Sequence, residues 1–323
     1  MVEIDPSVRA YYEKGEEAER LFGGFPSGRL ELARTQEIIL RGLGDPPLDI
    51  LDVGGGPGTY AAWLADLGHR VHLVDPVALH VDQASTAHAD VTAEQGDARS
   101  LNRSDASADV VLLLGPLYHL VDQADRLQAL QEARRVLRPG GLLFAAAISR
   151  FAALLDLLLR LDRLHEPRVF HIVEHAVRTG EFGGPGREGL FTTSYFHLPR
   201  DLRNEVVRAG FAEVNVLQVE GPGCWLSDFE ERWADEQRRS AIMEAARLVE
   251  SEPEMLCRFK PSLGNRCRRL MDTGPRGCSR SRSRSSSVMN PAAIRSTRSR
   301  HSSHGEGPSS QSKSSSWARS GRR

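Results

Sequence analysis

The chain has 323 residues, 40% of them hydrophobic, enough for one α/β domain of ordinary size with insertions. No apolar run approaches the ~20 residues needed to span a bilayer, and the charged opening MVEIDPSVRAYYEKGEEAER carries no signal-peptide core, so a soluble cytoplasmic protein is expected. The net charge of −1 hides a division: residues 257–323 hold 16 Lys and Arg against two acids, leaving 26 bases and 41 acids for residues 1–256.

Residues 1–47 read as an amphipathic helical cap in two pieces, split at Gly23-Gly24-Phe25-Pro26-Ser27-Gly28. Strands and helices then alternate over a domain expected at 48–256. LDILDVGG (48–55) is a short buried strand, and the helix TYAAWLADLG stops at Gly68. RVHLVD (70–75) is the second strand and ALHVDQASTAHA the second helix, before a weak third strand that leads into Gly96-Asp97-Ala98-Arg99. ADVVLLLG (108–115) is apolar at every position from Val110 to Leu114, so it is buried on both faces. The helix QADRLQALQEARRVL ends at Arg138-Pro139-Gly140-Gly141, and LLFAAAIS (142–149) is the next buried strand. Two helices, a Gly-rich loop (180–189) and the extended piece FTTSYFHL interrupt the alternation over 151–198. A helix at 200–209, a strand VNVLQVE (214–220) and an amphipathic helix over 226–250 complete it. Continuous apolar strands between helices imply a doubly covered, mostly parallel sheet of Rossmann-like type.

The turn LDVGGGPG after the first strand carries Asp52-x-Gly54-x-Gly56-x-Gly58, and Asp75 closes the second strand one β-α-β unit later. A dehydrogenase fingerprint would space its glycines G-x-G-x-x-G; Tyr60 and Ala61 stand where that third glycine would fall, so a nicotinamide enzyme is disfavoured. The pattern resembles the glycine-rich first motif of class I S-adenosylmethionine (SAM) methyltransferases. LLLGPLYHL (112–120) and RVLRPGGLLFAAAISRF (135–151) match that family's fourth motif and the turn before its fifth strand, so the resemblance spans residues ~5–254 and points to its small-molecule branch.

The resemblance implies SAM as cofactor, bound by Gly54, Gly56, Gly58, Asp75 with Pro76, Asp97 with Ala98, and the Leu114–Gly115 backbone. Glycines let the backbone turn sharply and a ligand approach main-chain atoms. At strand ends, where ligands of open α/β sheets bind, Asp52 suits the ligand's ammonium, Asp75 the two ribose hydroxyls, and Asp97 the adenine amino group. The family's N-terminal helix usually covers the cofactor; here it carries Tyr11 and Tyr12, which either meet the sulfonium or carboxylate end or pack as ordinary helix residues.

SAM brings its own electrophile, so alignment and exclusion of water are the enzyme's main contributions. A base is needed only where the acceptor must lose a proton. His119, next to Tyr118 beyond the fourth strand, is the candidate, since a histidine with a free pKa of about 6.5 serves at neutral pH; the alternative is that the pair shapes the pocket. The insert 151–198, with Phe170, His171, His175, Phe182, Phe191, Tyr195, Phe196 and His197, is the expected substrate-recognition element for a small, partly apolar acceptor. Its His171-Ile-Val-Glu174-His175 fits a metalloprotease pattern, but no third ligand stands out. Cys224, Cys257, Cys267 and Cys278 also lack zinc-type or disulfide-scaffold spacing, so no metal is expected. Gly115-Pro116-Leu117-Tyr118 replaces the D/N-P-P-Y/F motif of base-amino methyltransferases, and the acidic globular part opposes phosphate binding.

The family ends with a seventh, antiparallel strand beside the fifth, expected near 257–270. CRFKPSLGNRCRRLM stands there, followed by SRSRSRSSS and a Ser/Arg-rich stretch too polar to pack. Two readings stay open. One is a basic, phosphorylatable tail for RNA or acidic partners. The other is a reading-frame shift near Met255: codon degeneracy one nucleotide later permits Ala-Ala-Ser-Ser-His-Leu-Leu-Ala-Ile-Ala, an apolar strand. The alternatives to a small-molecule methyltransferase are therefore a SAM-binding protein without turnover, a fold-impaired homologue, or an RNA methyltransferase using its tail.

Overall fold

In the computed structural model, which describes residues 4–24, 27–87, 89–183, 189–252 and 265–266, the expected alternation becomes one main sheet. Its strands are β1 (Asp49–Val53), β2 (Arg70–Asp75), β3 (Val91–Gln95), β4 (Ala108–Leu113) and β5 (Leu137–Ala145). The order is β3-β2-β1-β4-β5, all parallel.

Period-two geometry sorts the apolar runs between two cores. Leu51, Val53, Val111, Leu113, Leu143 and Ala145 face one way, against Ala129, Leu130, Ala133 and Val136 of α6 (Gln123–Val136) and Leu202 and Val206 of α9 (Pro199–Arg208). Ile50, Val110, Leu112 and Phe144 face the other, against Ile39 of α3 (Gly28–Gly42) and Tyr60, Ala61 and Leu64 of α4 (Thr59–Asp66). Helix α5 (Ala78–Ala87) follows β2 and adds Ala84 to this second core.

The N-terminal cap differs from the two-piece expectation. Helix α1 (Pro6–Tyr12), capped by Asp5 through the Ser7 N–H at 2.8 Å, is followed by the single turn α2 (Glu17–Glu19), a π-turn at Arg20–Gly24, and α3. The insert has its expected two helices, and its extended piece FTTSYFHL supplies a strand. Helices α7 (Ala152–Leu159) and α8 (Pro167–Thr179) pack beside a second small sheet, in which β8 (Ser194–His197) lies between β6 (Ile148–Ser149) and β7 (Glu181–Phe182).

A buried cluster fastens this insert to the main sheet. Arg126 of α6 forks onto Glu205 of α9 (Nη2–Oε1 2.8 Å), gives Nη1 to the Leu120 and Val121 carbonyls, and stacks 3.7 Å over the Tyr195 ring. His197 of β8 donates from Nε2 to the same Glu205 at 3.1 Å. Burial raises the Glu205 pKa, but His197 and Arg126 outweigh it and hold the carboxyl at about 2.

Three C-terminal expectations need correction. The helix over 226–250 is two helices, α10 (Phe229–Ala234) and α11 (Glu236–Val249), because Asp235 leaves the helix and caps α11 through the Arg238 N–H at 2.9 Å. Residues 214–220 form no strand. Two of their carbonyls go to side chains: Arg203 Nη1 donates to Val214, and the fully buried Arg34 donates from Nε to Val219 at 3.2 Å. That satisfies backbone acceptors a strand neighbour would otherwise take. The third correction is that the seventh-strand position is filled, though only by β9 (Asn265–Arg266), antiparallel to Leu143 and Leu142 of β5. The rest of the tail, 257–264 and 267–323, lies outside the described residues.

Candidate active site

The first loop turns where the glycines demand it. Gly54 has φ +68°, and a Cβ there would lie 2.6 Å from the Pro116 ring, so the β1 and β4 loops meet across hydrogen alone. Gly56, at φ +59°, donates its N–H to Asp75 Oδ2 at 2.9 Å. The strand ends are thus tied together around a cavity of about 310 Å³.

Tyr12, Asp52, Gly54, Gly56, Asp75, Pro76, Asp97, Ala98, Leu114, Gly115, Tyr118 and His119 all line this cavity. Of the expected residues, Gly58 and Tyr11 do not. Gly58 sits one step behind, before α4, and Tyr11 packs edge-on against Phe191 with centroids 5.3 Å apart.

The three carboxylates differ in surroundings. Asp52 is 1% exposed, and neither of its oxygens has a hydrogen-bond partner. Burial, helped by the nearby Asp75 charge, raises its pKa to about 7. Asp75 is well served: besides Gly56, the Val77 N–H donates to Oδ1 at 2.9 Å and His80 Nδ1 to Oδ1 at 3.1 Å. Asp97 is gripped by Arg99, with Nη2 to Oδ2 at 2.6 Å, and Arg99 reaches Asp125 at 2.8 Å.

Helix α1 closes one side. The Tyr12 hydroxyl lies 2.7 Å from His119 Nε2, and its ring stands edge-on to both His119 and His80, centroids 5.3 and 5.2 Å away. Burial pushes the Tyr12 hydroxyl pKa well above the usual phenol value. Ser7 meets Thr193 of the insert (Oγ–Oγ1 2.8 Å), and the Thr193 carbonyl faces His119 Nδ1 at 3.5 Å. Cap, turn after β4 and insert therefore converge at His119.

The lining residues that sequence reasoning missed include His80, Arg20, Glu17 and Glu31. His80 lies five residues after Asp75, and no motif marks it. Arg20, with Glu17 and Glu31, lines the wall beneath α1; Arg20 Nη1 reaches Glu31 Oε2 at 2.7 Å and Nε reaches Glu17 at 2.7 Å. Burial lowers the Arg20 pKa, but the Glu31 charge more than compensates and raises it. The charge alternation of the cap was the only available signal. His171 and His175 are exposed and lie beside Glu174 and Glu181, at 3.8 and 3.6 Å. Among the described residues no three His, Cys, Asp or Glu gather as a metal site, and none of their helices is long and apolar enough to cross a membrane.

The family model described as a methyltransferase domain matches residues 50–141, from β1 to the turn within β5. That match assigns residues 50–141 to a methyltransferase domain. The chain is 36% identical over 108 residues to a ubiquinone biosynthesis O-methyltransferase of Methylocella silvestris, covering 32% of this chain and 41% of that one. It is 40% identical over 95 residues to the ubiquinone/menaquinone biosynthesis C-methyltransferase UbiE of Rubrivivax gelatinosus, covering 28% and 36%. The chain thus spans about two fifths of the length of these relatives. In fold it is similar to a chain from the complex between the Haloferax volcanii Trm112 methyltransferase activator and a methyltransferase: TM-score 0.52, 16% identity, 83% of this chain and 100% of that one covered. The matched segment contains the methyltransferase loop and strand ends, but not the cap or the insert.

Proposed function

We propose that the protein transfers a methyl group from SAM to a small-molecule acceptor. The observation that carries this reading is the buried, unpartnered carboxylate of Asp52 at the cavity wall. A lone buried polar group costs about 1–3 kcal/mol, and an ammonium of the donor's amino-acid part offsets that cost. In this reading the donor lies along Gly54 and Gly56, with Asp75 and Pro76, Asp97 and Ala98, and the Leu114–Gly115 backbone on its adenosine side. When bound, SAM supplies a methyl group on positively charged sulfur.

The chain's own residues then position and deprotonate. A carbonyl can only accept, so the Thr193 oxygen facing His119 Nδ1 puts the imidazole proton on Nδ1 and leaves Nε2 basic. Tyr12 donates to that Nε2. An acceptor hydroxyl losing its proton passes it to the Tyr12 oxygen as Tyr12 gives its own proton to Nε2. Tyr118 and Phe191, ringed about His119 with centroids 4.6 and 5.9 Å away, form an apolar wall suited to a partly apolar molecule. Asp5, Asp122 and Asp125 in the lining oppose a polyphosphate acceptor. The two quinone-pathway relatives methylate oxygen and carbon respectively by name, so the shared segment does not fix the acceptor atom.

Labelled-methyl SAM with a panel of phenols, amines, thiols and carboxylic acids, plus an RNA arm, tests the reading. Transfer to at least one small molecule and none to RNA is expected. Labelling of RNA alone, or SAM binding without any transfer, would contradict it.

A further inference from the structure

We propose that His80 is a cofactor-reading residue, accepting a hydrogen bond at Nε2 from a ribose hydroxyl of the bound donor. This rests on the SAM-binding reading and goes beyond it, since the glycine motif and the strand-end acids assign no role to α5. The starting point is how little of Asp75 is left to offer. An ionised carboxylate has about four lone-pair sites. Three face Gly56 N–H, Val77 N–H and His80 Nδ1, at 2.9, 2.9 and 3.1 Å, and the residue is 4% exposed. One remaining site cannot serve two hydroxyls.

His80 supplies the second acceptor. A carboxylate faces its Nδ1, so the neutral ring carries its proton there and Nε2 is a bare lone pair. The residue is 2% exposed and lines the cavity, and Nε2 has no hydrogen-bond partner. It stands beside Pro76 and Val77 on the wall that Asp75 closes, with the Tyr12 ring edge-on to it. A structural histidine that merely buttressed Asp75 would need only Nδ1, and a carbon-only ring would fill the rest without an orphaned acceptor. Asp75 and His80 therefore divide the diol between them, the first through its free lone pair and the second through Nε2.

Calorimetry with S-adenosylhomocysteine and its 2′-deoxy and 3′-deoxy analogues tests this on the full chain, His80→Leu and His80→Gln. Removing the hydroxyl that His80 reads weakens wild-type binding about tenfold. His80→Leu weakens S-adenosylhomocysteine by a similar factor and becomes indifferent to that same deletion, while His80→Gln, which can present a carboxamide oxygen, keeps part of the sensitivity. Wild type that binds both deoxy analogues as tightly as the parent overturns the proposal, as does His80→Leu with undiminished sensitivity. Should His80→Leu lose its cooperative melt, the wild-type analogue series and His80→Gln decide. A wild type that binds no S-adenosylhomocysteine at all overturns the cofactor reading itself, a result distinct from a lost discrimination between analogues.

Discussion

The Tyr12 hydroxyl lies 2.7 Å from His119 Nε2, which joins the N-terminal helix to the turn after β4 at the place where donor and acceptor should meet. His119→Ala is expected to lower kcat about a hundredfold or more toward a hydroxyl acceptor, the usual scale for a lost general base. Tyr12→Phe keeps the ring contacts and removes one hydrogen bond, so S-adenosylhomocysteine affinity should change less than about threefold while kcat falls. Equal losses of binding in both variants would mean that the pair only shapes the pocket.

If Asp52 meets the donor's ammonium as proposed, donor binding is proton-coupled. Its folded pKa of about 7 lies above the ordinary value of about 3.9. The stability it contributes is complete below about pH 4 and is lost as pH rises through about 7. A bound ammonium favours the carboxylate and pulls that pKa down. Binding should therefore release a proton at about pH 6 and tighten toward about pH 7. Calorimetry in two buffers of different ionisation enthalpy measures this release, and Asp52→Asn should abolish it.

Gly54→Ala places a methyl 2.6 Å from the Pro116 ring at φ +68°. Strain of this kind costs about 1–3 kcal/mol. The variant should melt lower and lose donor affinity together, measured by thermal melt and calorimetry, because in the proposed reading the same loop does both jobs.

Glu205 holds both Arg126 and His197 at 2% side-chain exposure. Glu205→Ala leaves a buried guanidinium without its counter-charge, a change of about 3–5 kcal/mol, readable as a shift in urea midpoint. With its folded pKa depressed to about 2, the stability Glu205 contributes is present above about pH 4 and lost as pH falls toward about 2.

Restoring the apolar strand that the alternative reading frame permits should extend pairing along β5 past Leu142 and Leu143 and give 214–220 a neighbour. A higher melting temperature than the present chain is expected, because unpaired strand edges are a liability. Identical melts would remove the reason to regard the frame as shifted.

The sheet was legible because burial on both faces writes itself as uninterrupted apolar runs: RVHLVD coincides with β2, and Val110–Leu114 runs through β4 and one residue past its end. The glycine loop and Asp75 were legible because backbone turning restricts residue choice. What escaped was tertiary. The non-strand course of 214–220 goes with Arg34 and Arg203 reaching its Val219 and Val214 carbonyls from α3 and α9. His80 has no local signature, since its partner lies five residues back and its importance comes from the cavity it faces. The break at Asp235 was missed because an apolar period continued across a residue that caps better than it propagates.

Hydrogen exchange with and without saturating S-adenosylhomocysteine tests most directly that the cavity at the ends of β1, β2 and β4 holds the donor. Slowed exchange in amides of residues 52–60, 75–80 and 112–119, with little change in α10 and α11, is the predicted result. Saturating ligand that leaves those three segments at their free rates in a folded protein would contradict it.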